Sequence, residues 1–318
     1  MSSYLGGRII QGVLLLVIVS TLTFLVIHAA PGGPAMLADP DLSREEVASL
    51  KEMLGLDAPI HVQYYKWASN VLTGKLGRSY SYGVPVITLL LERLPNTLLL
   101  SGSALLLSSI LAIPLGIWAA LRRGSTIDHM AVSLSIGGVA VPVFWLGIML
   151  IIVFAVTLRW FPTGGIGTLG AEFSIFDLLH HLALPAFVLS TPTTAQLARY
   201  TRSSVINTLS EDYVRTARAK GVLESRVIIW HVFRNSLIPI ITVLGTLVPR
   251  LVGGAAITEA IFTWPGVGRL AVEAAFERDY PIIMGVTLFI CTMVIVANIL
   301  VDICYALIDP RVVVGNHR

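Results

Sequence analysis

The 318-residue chain is poor in charge: 13% of its residues are Asp, Glu, Lys or Arg, against 55% hydrophobic. Soluble domains carry roughly 25% charged residues. The length alone would allow two soluble domains, but this composition argues against them. Lysine is scarcer still. The four lysines are Lys51, Lys66, Lys75 and Lys220, and none is followed by Ser or Thr. The phosphate-binding loop G-x-x-x-x-G-K-[ST] is therefore absent, and with it ATP binding by that device. Cysteine is nearly missing. Cys291 and Cys304 lie thirteen residues apart in one apolar run, where no bend of a single helix can join them. They read as small packing residues.

Other chemistry is thin as well. No H-E-x-x-H or C-x-x-C occurs, so no metal site is expected from those patterns. His180 and His181 are adjacent. Neighbours on a helix point about 100° apart, so a shared metal would need other ligands. An interfacial histidine pair needs nothing further. A membrane hydrolase would want a Ser nucleophile and a His base at depth. Ser101, Ser103 and Ser108 sit in an apolar run, but the histidines, including His28, cluster near the ends of such runs. Those serines read as contacts between helices. The net charge of +3 comes with no basic, aromatic-studded face, so nucleic acid is not an expected partner.

What the chain does have is long uncharged blocks, and its mean hydropathy is +0.80. A membrane span needs ~20 apolar residues, within roughly 17 to 25. Residues 9–30, 94–121, 130–158 and 281–301 qualify without a charge. Residues 182–198 contain Pro185 and Pro192, and residues 237–262 contain Arg250 and Glu259; counting both predicts six spans. Basic residues are retained on the cytoplasmic side. With both termini inside, twelve basic residues are cytoplasmic: Arg8, Arg122, Arg123, Arg311, Arg318 and seven from Arg199 to Arg234. The two short outer loops hold only Arg159, Arg269 and Arg278. The first apolar block exceeds the 7 to 15 residues of a signal peptide, and Pro31 follows Ala29-Ala30, so it reads as a retained helix.

The segment between the first two spans is patterned, too. Ser43 and Glu46 form a capping-box pattern, Val47, Leu50 and Leu54 share a helical face, and Gly55 suits the end. A second helix is expected after Pro59, with Ile60, Tyr64, Trp67 and Val71 on one side and Gly74 at its close. A third amphipathic piece, PVITLLLERLP, is expected at the interface. The segment is either a cap that stiffens the protein or a lid and docking surface for an extracytoplasmic partner.

Two ionisable residues fall inside predicted spans. Arg250 lies near mid-depth between Pro249 and Gly253-Gly254, neighbours that allow a broken or closely approached helix. It either faces a water-filled path or makes a structural bond to backbone or to a neighbouring subunit. Asp302 lies near the inner end of the last span, and a pairing with Arg250 stays open at this level. Glu259, at the outer end of its span, either faces the path or caps the following loop. Trp264 suits the interfacial aromatic belt, and Pro265, Gly266 and Gly268 impose a turn there.

The largest cytoplasmic loop carries the stretch EDYVRTARAKG, from Glu211 to Gly221. From Ser203 to Lys220 the pattern is helical, with Val205, Leu209, Tyr213 and Ala217 on one face. Arg215 and Arg218 point elsewhere. Small residues at Ala217, Ala219 and Gly221 let another surface approach the backbone. Such a helix suits a groove on a cytoplasmic protein or an anionic lipid surface, and periodicity alone leaves both open.

The stretch resembles the cytoplasmic loop of ABC-importer inner-membrane permeases, in which Glu-Ala-Ala is followed, after three intervening residues, by Gly. Here Arg215-Thr216-Ala217 precedes Gly221 at that spacing. The form DYVRTARAKG resembles the subfamily that imports dipeptides, oligopeptides, nickel, glutathione and opines. So do GLDAPIHVQYYKW, GKLGRSY, ERLPNTL, VPVFWLGIML, FPTGG, TEAIFTWPGVGRL, RDYP and DPR, which together cover nearly the whole chain.

The resemblance implies an all-α membrane protein of the bacterial cytoplasmic (inner) membrane. It would have six transmembrane helices, cytoplasmic termini, a folded extracytoplasmic segment and a cytoplasmic coupling helix between the fourth and fifth spans. The division would be an N-terminal helix over 1–30, the outer segment over 31–96 and a five-helix core over 97–318 containing the loop 203–234. Tyr213, Val214, Arg215, Thr216, Ala217, Ala219 and Gly221 would couple to an ATPase. Arg250, Glu259, Trp264 and Asp302 would belong to the translocation path or gate. A second permease, two ATPase subunits that bind ATP and Mg, and an extracytoplasmic binding protein would be the partners. The chain itself would hold no cofactor and catalyse nothing. Peptides are the expected cargo, with nickel chelates, glutathione and opines as the alternatives. A secondary transporter should instead show two related halves and midplane carboxylates, and neither is visible.

Overall fold

The computed structural model describes residues 2–31, 33–38 and 41–308, without the side chains of residues 2–5, 38, 238, 250–254 and 304–308. Arg311, Arg318 and the DPR motif lie outside the described residues. Among the described residues the structure is helical, apart from one isolated antiparallel bridge between Arg78 and Pro85. The helices are α1 (Ser2–Ala29), α2 (Arg44–Leu54), α3 (Ile60–Leu72), α4 (Val86–Leu121), α5 (Thr126–Ala140), α6 (Val143–Leu150), α7 (Ile175–Leu209), α8 (Asp212–Ala219), α9 (Glu224–Arg226), α10 (Arg234–Ile261), α11 (Val267–Glu277) and α12 (Tyr280–Ile308). Wider π-helical turns extend α6 over Ile151–Thr157 and join α9 to α10 over Val227–Phe233.

Four helical stretches are long and apolar enough to cross a membrane: Gly6–Ala29, Val86–Leu121, Ile175–Leu209 and Tyr280–Ile303. Two bent pairs qualify jointly. Thr126–Ala140 with Val143–Thr157 turns by 98°, and Glu224–Leu237 with Pro239–Pro249 turns by 41°. The sharper bend falls at Pro142, which cannot donate to the preceding turn. By length and apolarity the described residues thus offer four candidate spans, or up to six if each bent pair counts as one.

The chain divides into two compact units. The first comprises Met1–Thr97 and Pro265–Ile295. Here α2 begins at the capping box of Ser43 and Glu46 and ends at Gly55, whose φ is 67°. Helix α3 is fastened to α1. The Tyr64 hydroxyl bonds those of Ser20 and Thr21 at 3.1 and 2.8 Å. The Gln63 amide donates to the carbonyls of Leu56 and Ala58, and its oxygen meets His28 Nε2 at 3.1 Å.

PVITLLLERLP is not a piece separate from the following helix. It forms the opening turns of α4, which runs on through Pro95. Val86, Leu89 and Leu90 are buried with Val267, Leu270 and Ala274 of α11 and Ile282 and Val286 of α12. Burying this stripe against two helices joins the segment to the helix that follows, since each fully buried aliphatic side chain is worth about 1.5–3 kcal/mol.

The second unit comprises Leu98–Trp264 and Val296–Arg318. Helix α7 contributes to each of its four apolar cores. The sequence suggests a span over 182–198, whereas α7 has 35 residues and passes through Pro185 and Pro192. Its neighbours come close by lacking side chains. A Cβ on Gly116 of α4 would meet the Ala198 carbonyl and Thr201 Cβ at 2.7 Å, and one on Gly138 of α5 would meet Ala195 Cβ at 3.1 Å. Small residues at such crossings are how helices approach in membranes.

Candidate functional site

Helix α8 begins after a two-residue break, Ser210 and Glu211, at the end of α7. The single periodic helix expected from Ser203 to Lys220 is therefore two helices. The break changes which side chains face inward. Val214 and Ala217 are buried, while Tyr213 is 42% exposed. Val214 and Ala217 pack with Val205 of α7, Ala120 at the end of α4, and Val227 and Val232 of the π-helical stretch. The anchors are thus spaced i, i+3.

The opposite face carries Asp212, Arg215, Thr216 and Ala219, all exposed. Arg215 reaches Asp212 at 3.3 Å with both side chains in solvent, a pair that contributes little to stability. Burial, followed by the charge of Glu211, raises the hydroxyl pKa of Tyr213.

The end of α8 is fixed in two ways. The N–H of Gly221 donates to the Arg218 carbonyl at 2.9 Å, and that of Val222 to the Ala217 carbonyl at 3.2 Å. This pattern with a left-handed residue is a Schellman motif, and Gly221 supplies the conformation with φ 74°. A Cβ there would meet no heavy atom within 4 Å. Backbone conformation, rather than lack of room, therefore calls for glycine. Arg218 then forks onto Glu224 of α9 at 2.6 and 3.1 Å, and that hydrogen bonding raises the Arg218 pKa.

One pair near this element was not visible from sequence. Asp128, in the first turn of α5, is 4% exposed. Arg202 of α7 donates to its two oxygens at 2.5 and 2.8 Å, and the Gly124 N–H donates to one of them at 2.9 Å. The partners are 74 residues apart, so no local pattern announces them.

The gate candidates lie elsewhere in the same unit. Glu259 is fully buried, and its carbonyl accepts from the Trp264 N–H at 2.8 Å. Trp264 is also fully buried, with Leu100, Ala104, Leu182, Ala186, Leu189 and Ala255. The aromatic-belt position expected for it is not what the fold gives: the turn folds the indole into the core. The Gly165 N–H of FPTGG donates to the Phe262 carbonyl at 2.8 Å, and Gly164 abuts that same carbonyl. Asp302 is half-buried in α12. The Arg250 side chain lies outside the described residues, and so does its pairing with Asp302. Among the described residues no group of three or more His, Cys, Asp or Glu could hold a metal ion.

Residues 112–314 match the model of the family described as binding-protein-dependent transport system inner membrane component, and residues 1–101 match the model of its N-terminal region. The chain belongs to this family. It is 46% identical over 314 residues to the oligopeptide transport system permease protein AppB of Bacillus subtilis, covering 98% of this chain and 99% of that protein. It is 39% identical over 317 residues to the dipeptide transport system permease protein DppB of Escherichia coli, covering 92% of this chain and 94% of that one. The fold is similar to that of the MetNI methionine ABC transporter in an inward-facing crystal form. The TM-score is 0.54 at 14% identity, over 72% of this chain and 98% of the other. An amino acid ABC transporter structure matches with a TM-score of 0.51 at 15% identity, over 70% and 94%. As a member of this family the protein is a transport permease subunit of the inner membrane, and its apolar helices make it a multi-pass one.

Proposed function

We propose that this permease subunit imports dipeptides or oligopeptides with the energy of ATP hydrolysed on partner chains. The relatives' names supply the cargo class. The observation that carries the coupling is the two-faced build of α8. Val214 and Ala217 anchor it, while Tyr213, Arg215, Thr216, Ala219 and Gly221 are exposed. The Schellman motif and the Arg218–Glu224 fork stiffen it. A short rigid helix with an exposed outer face fits a partner's groove.

In this reading both termini and α8 are cytoplasmic and the spans number six. A second permease completes the path, two ATPase subunits carry ATP and Mg, and a binding protein delivers cargo from outside. ATP closes the ATPase pair, α8 moves with it, and the spans alternate between two openings. Buried Glu259 and the packed Trp264 turn shape the outer gate, and Arg250 and Asp302 belong to the path. An ionisable residue inside a span is expensive to place there, which favours function for it.

Reconstitution tests this. The chain is coexpressed with a candidate second permease and ATPase subunits, purified, and placed in vesicles with a candidate binding protein. ATP-dependent accumulation of labelled dipeptide or oligopeptide supports the reading. Accumulation that is driven by an ion gradient without ATPase chains refutes it.

A further inference from the structure

The Asp128–Arg202 pair is costly to build and sits where the coupling reading needs a connection. A carboxylate removed from water must recover its hydration through charge and hydrogen bonds. Asp128 does so completely from nearby donors: the two Arg202 nitrogens and the Gly124 N–H. A bidentate guanidinium also fixes geometry, since both N–H bonds must stay parallel to the carboxylate plane.

The position matters more than the strength. Arg202 precedes Val205 by one turn of α7, and Val205 shares a core with Val214 and Ala217 of α8. Movement of α8 therefore carries the end of α7 with it. Arg202 passes that movement to the first turn of α5. Helix α5 is continuous from Thr126 to Ala140 and meets the 98° bend into α6 at its other end. Farther along, Gly138 of α5 approaches Ala195 and Thr191 of α7. Close contacts of small residues permit sliding along the axis more readily than a forked ion pair does.

We infer that Asp128 and Arg202 are positioning residues for transport: they hold the axial register between α7 and α5, so that displacement of α8 reaches the bent α5–α6 pair. This rests on the coupling reading above.

The test uses the full complex in vesicles, with Arg202→Lys, Asp128→Asn and the double variant Asp128→Asn with Arg202→Gln. Lysine keeps the charge but loses the fork. Copurification of ATPase chains, ATP hydrolysis and cargo moved per ATP are measured together. The expected result for Arg202→Lys is an assembled complex that still hydrolyses ATP while cargo per ATP falls roughly tenfold, within the range of coupling between distant sites. The double variant is expected to be no worse than Asp128→Asn alone. Unchanged cargo per ATP in an assembled Arg202→Lys complex overturns the inference. Loss of ATPase chains from all three variants also overturns it, by making the pair structural only. A wild-type chain that captures no ATPase is a separate failure, of the coupling reading itself.

Discussion

The Ser79 hydroxyl donates to Asp279 Oδ2 at 2.7 Å across 200 residues of chain. Both belong to the first compact unit. The same carboxylate accepts from the backbone N–H groups of Ser81 and Ile282 at 2.9 and 3.2 Å, and Asp279 is fully buried. The motifs GKLGRSY and RDYP are thus two halves of one joint.

Asp279→Ala leaves three donors without their acceptor, two of them, the Ser79 hydroxyl and the Ile282 N–H, buried. Each unsatisfied buried group costs about 1–3 kcal/mol. The expected outcome is a clear drop in the thermal unfolding midpoint of the detergent-solubilised protein. Asp279→Asn keeps one acceptor oxygen and should lose less. Equal midpoints for wild type and Asp279→Ala would show that the joint contributes nothing.

Gly221→Ala tests the Schellman motif apart from any partner. Its φ of 74° costs an L-residue roughly 1–2 kcal/mol, and the site is sterically open. Stability should fall by about that amount in Gly221→Ala, and by less in Gly221→Asn, since Asn tolerates this conformation better. Chemical or thermal unfolding of the purified chain measures the order. The reverse order would contradict the conformational explanation.

The two faces of α8 should separate in mutagenesis. Val214→Ala removes two buried methyl-sized groups, worth about 1.6 kcal/mol, and should lower stability. Arg215→Ala touches only an exposed pair and should leave stability within about 0.5 kcal/mol, yet reduce ATP-dependent uptake. Paired unfolding and uptake assays decide between them.

Two glycines of α4 should respond oppositely. Gly116→Val drives its side chain into Ala198 and Thr201 and should cost about 1–3 kcal/mol by overpacking. Gly102 is exposed and meets nothing within 4 Å. Gly102→Ala should be neutral or stabilising by up to about 1 kcal/mol, from helix propensity. Folded yield and thermal midpoint of the two variants test the contrast.

Local chemistry was readable in the sequence. The Ser43–Glu46 box, the stop at Gly55 and the half-buried stripe of Val47, Leu50 and Leu54 all appear in the fold. Helix length was less readable, because apolarity marks what contacts lipid and not where hydrogen bonding ends. Helix α7 continues past Arg199 and Arg202 to Leu209 for that reason. The break at Ser210–Glu211 was hidden by small and polar residues that keep the period intact while shifting the face, so Tyr213 rather than Val214 looked buried.

Pairings between distant motifs were invisible, since each needs a partner the sequence does not point to. Asn96 of ERLPNTL donates to the Pro265 carbonyl at 2.9 Å, and Thr97 accepts from the Val267 N–H at 2.9 Å. Quoted separately, ERLPNTL and TEAIFTWPGVGRL give no sign that they share a turn. Asp128 went unnoticed on the same grounds.

The most direct measurement is a crosslink from the outer face of α8. Cys291 and Cys304 are replaced by Ser, Ala219 is changed to Cys, and a short bifunctional reagent is applied to membranes that hold the whole transporter. Ala219 is exposed, so the new thiol leaves the anchors Val214 and Ala217 in place. The expected product joins this chain to an ATPase subunit, with a yield that changes when ATP is trapped. Products confined to lipid or to this same chain, in a complex that still imports peptide, would contradict the account.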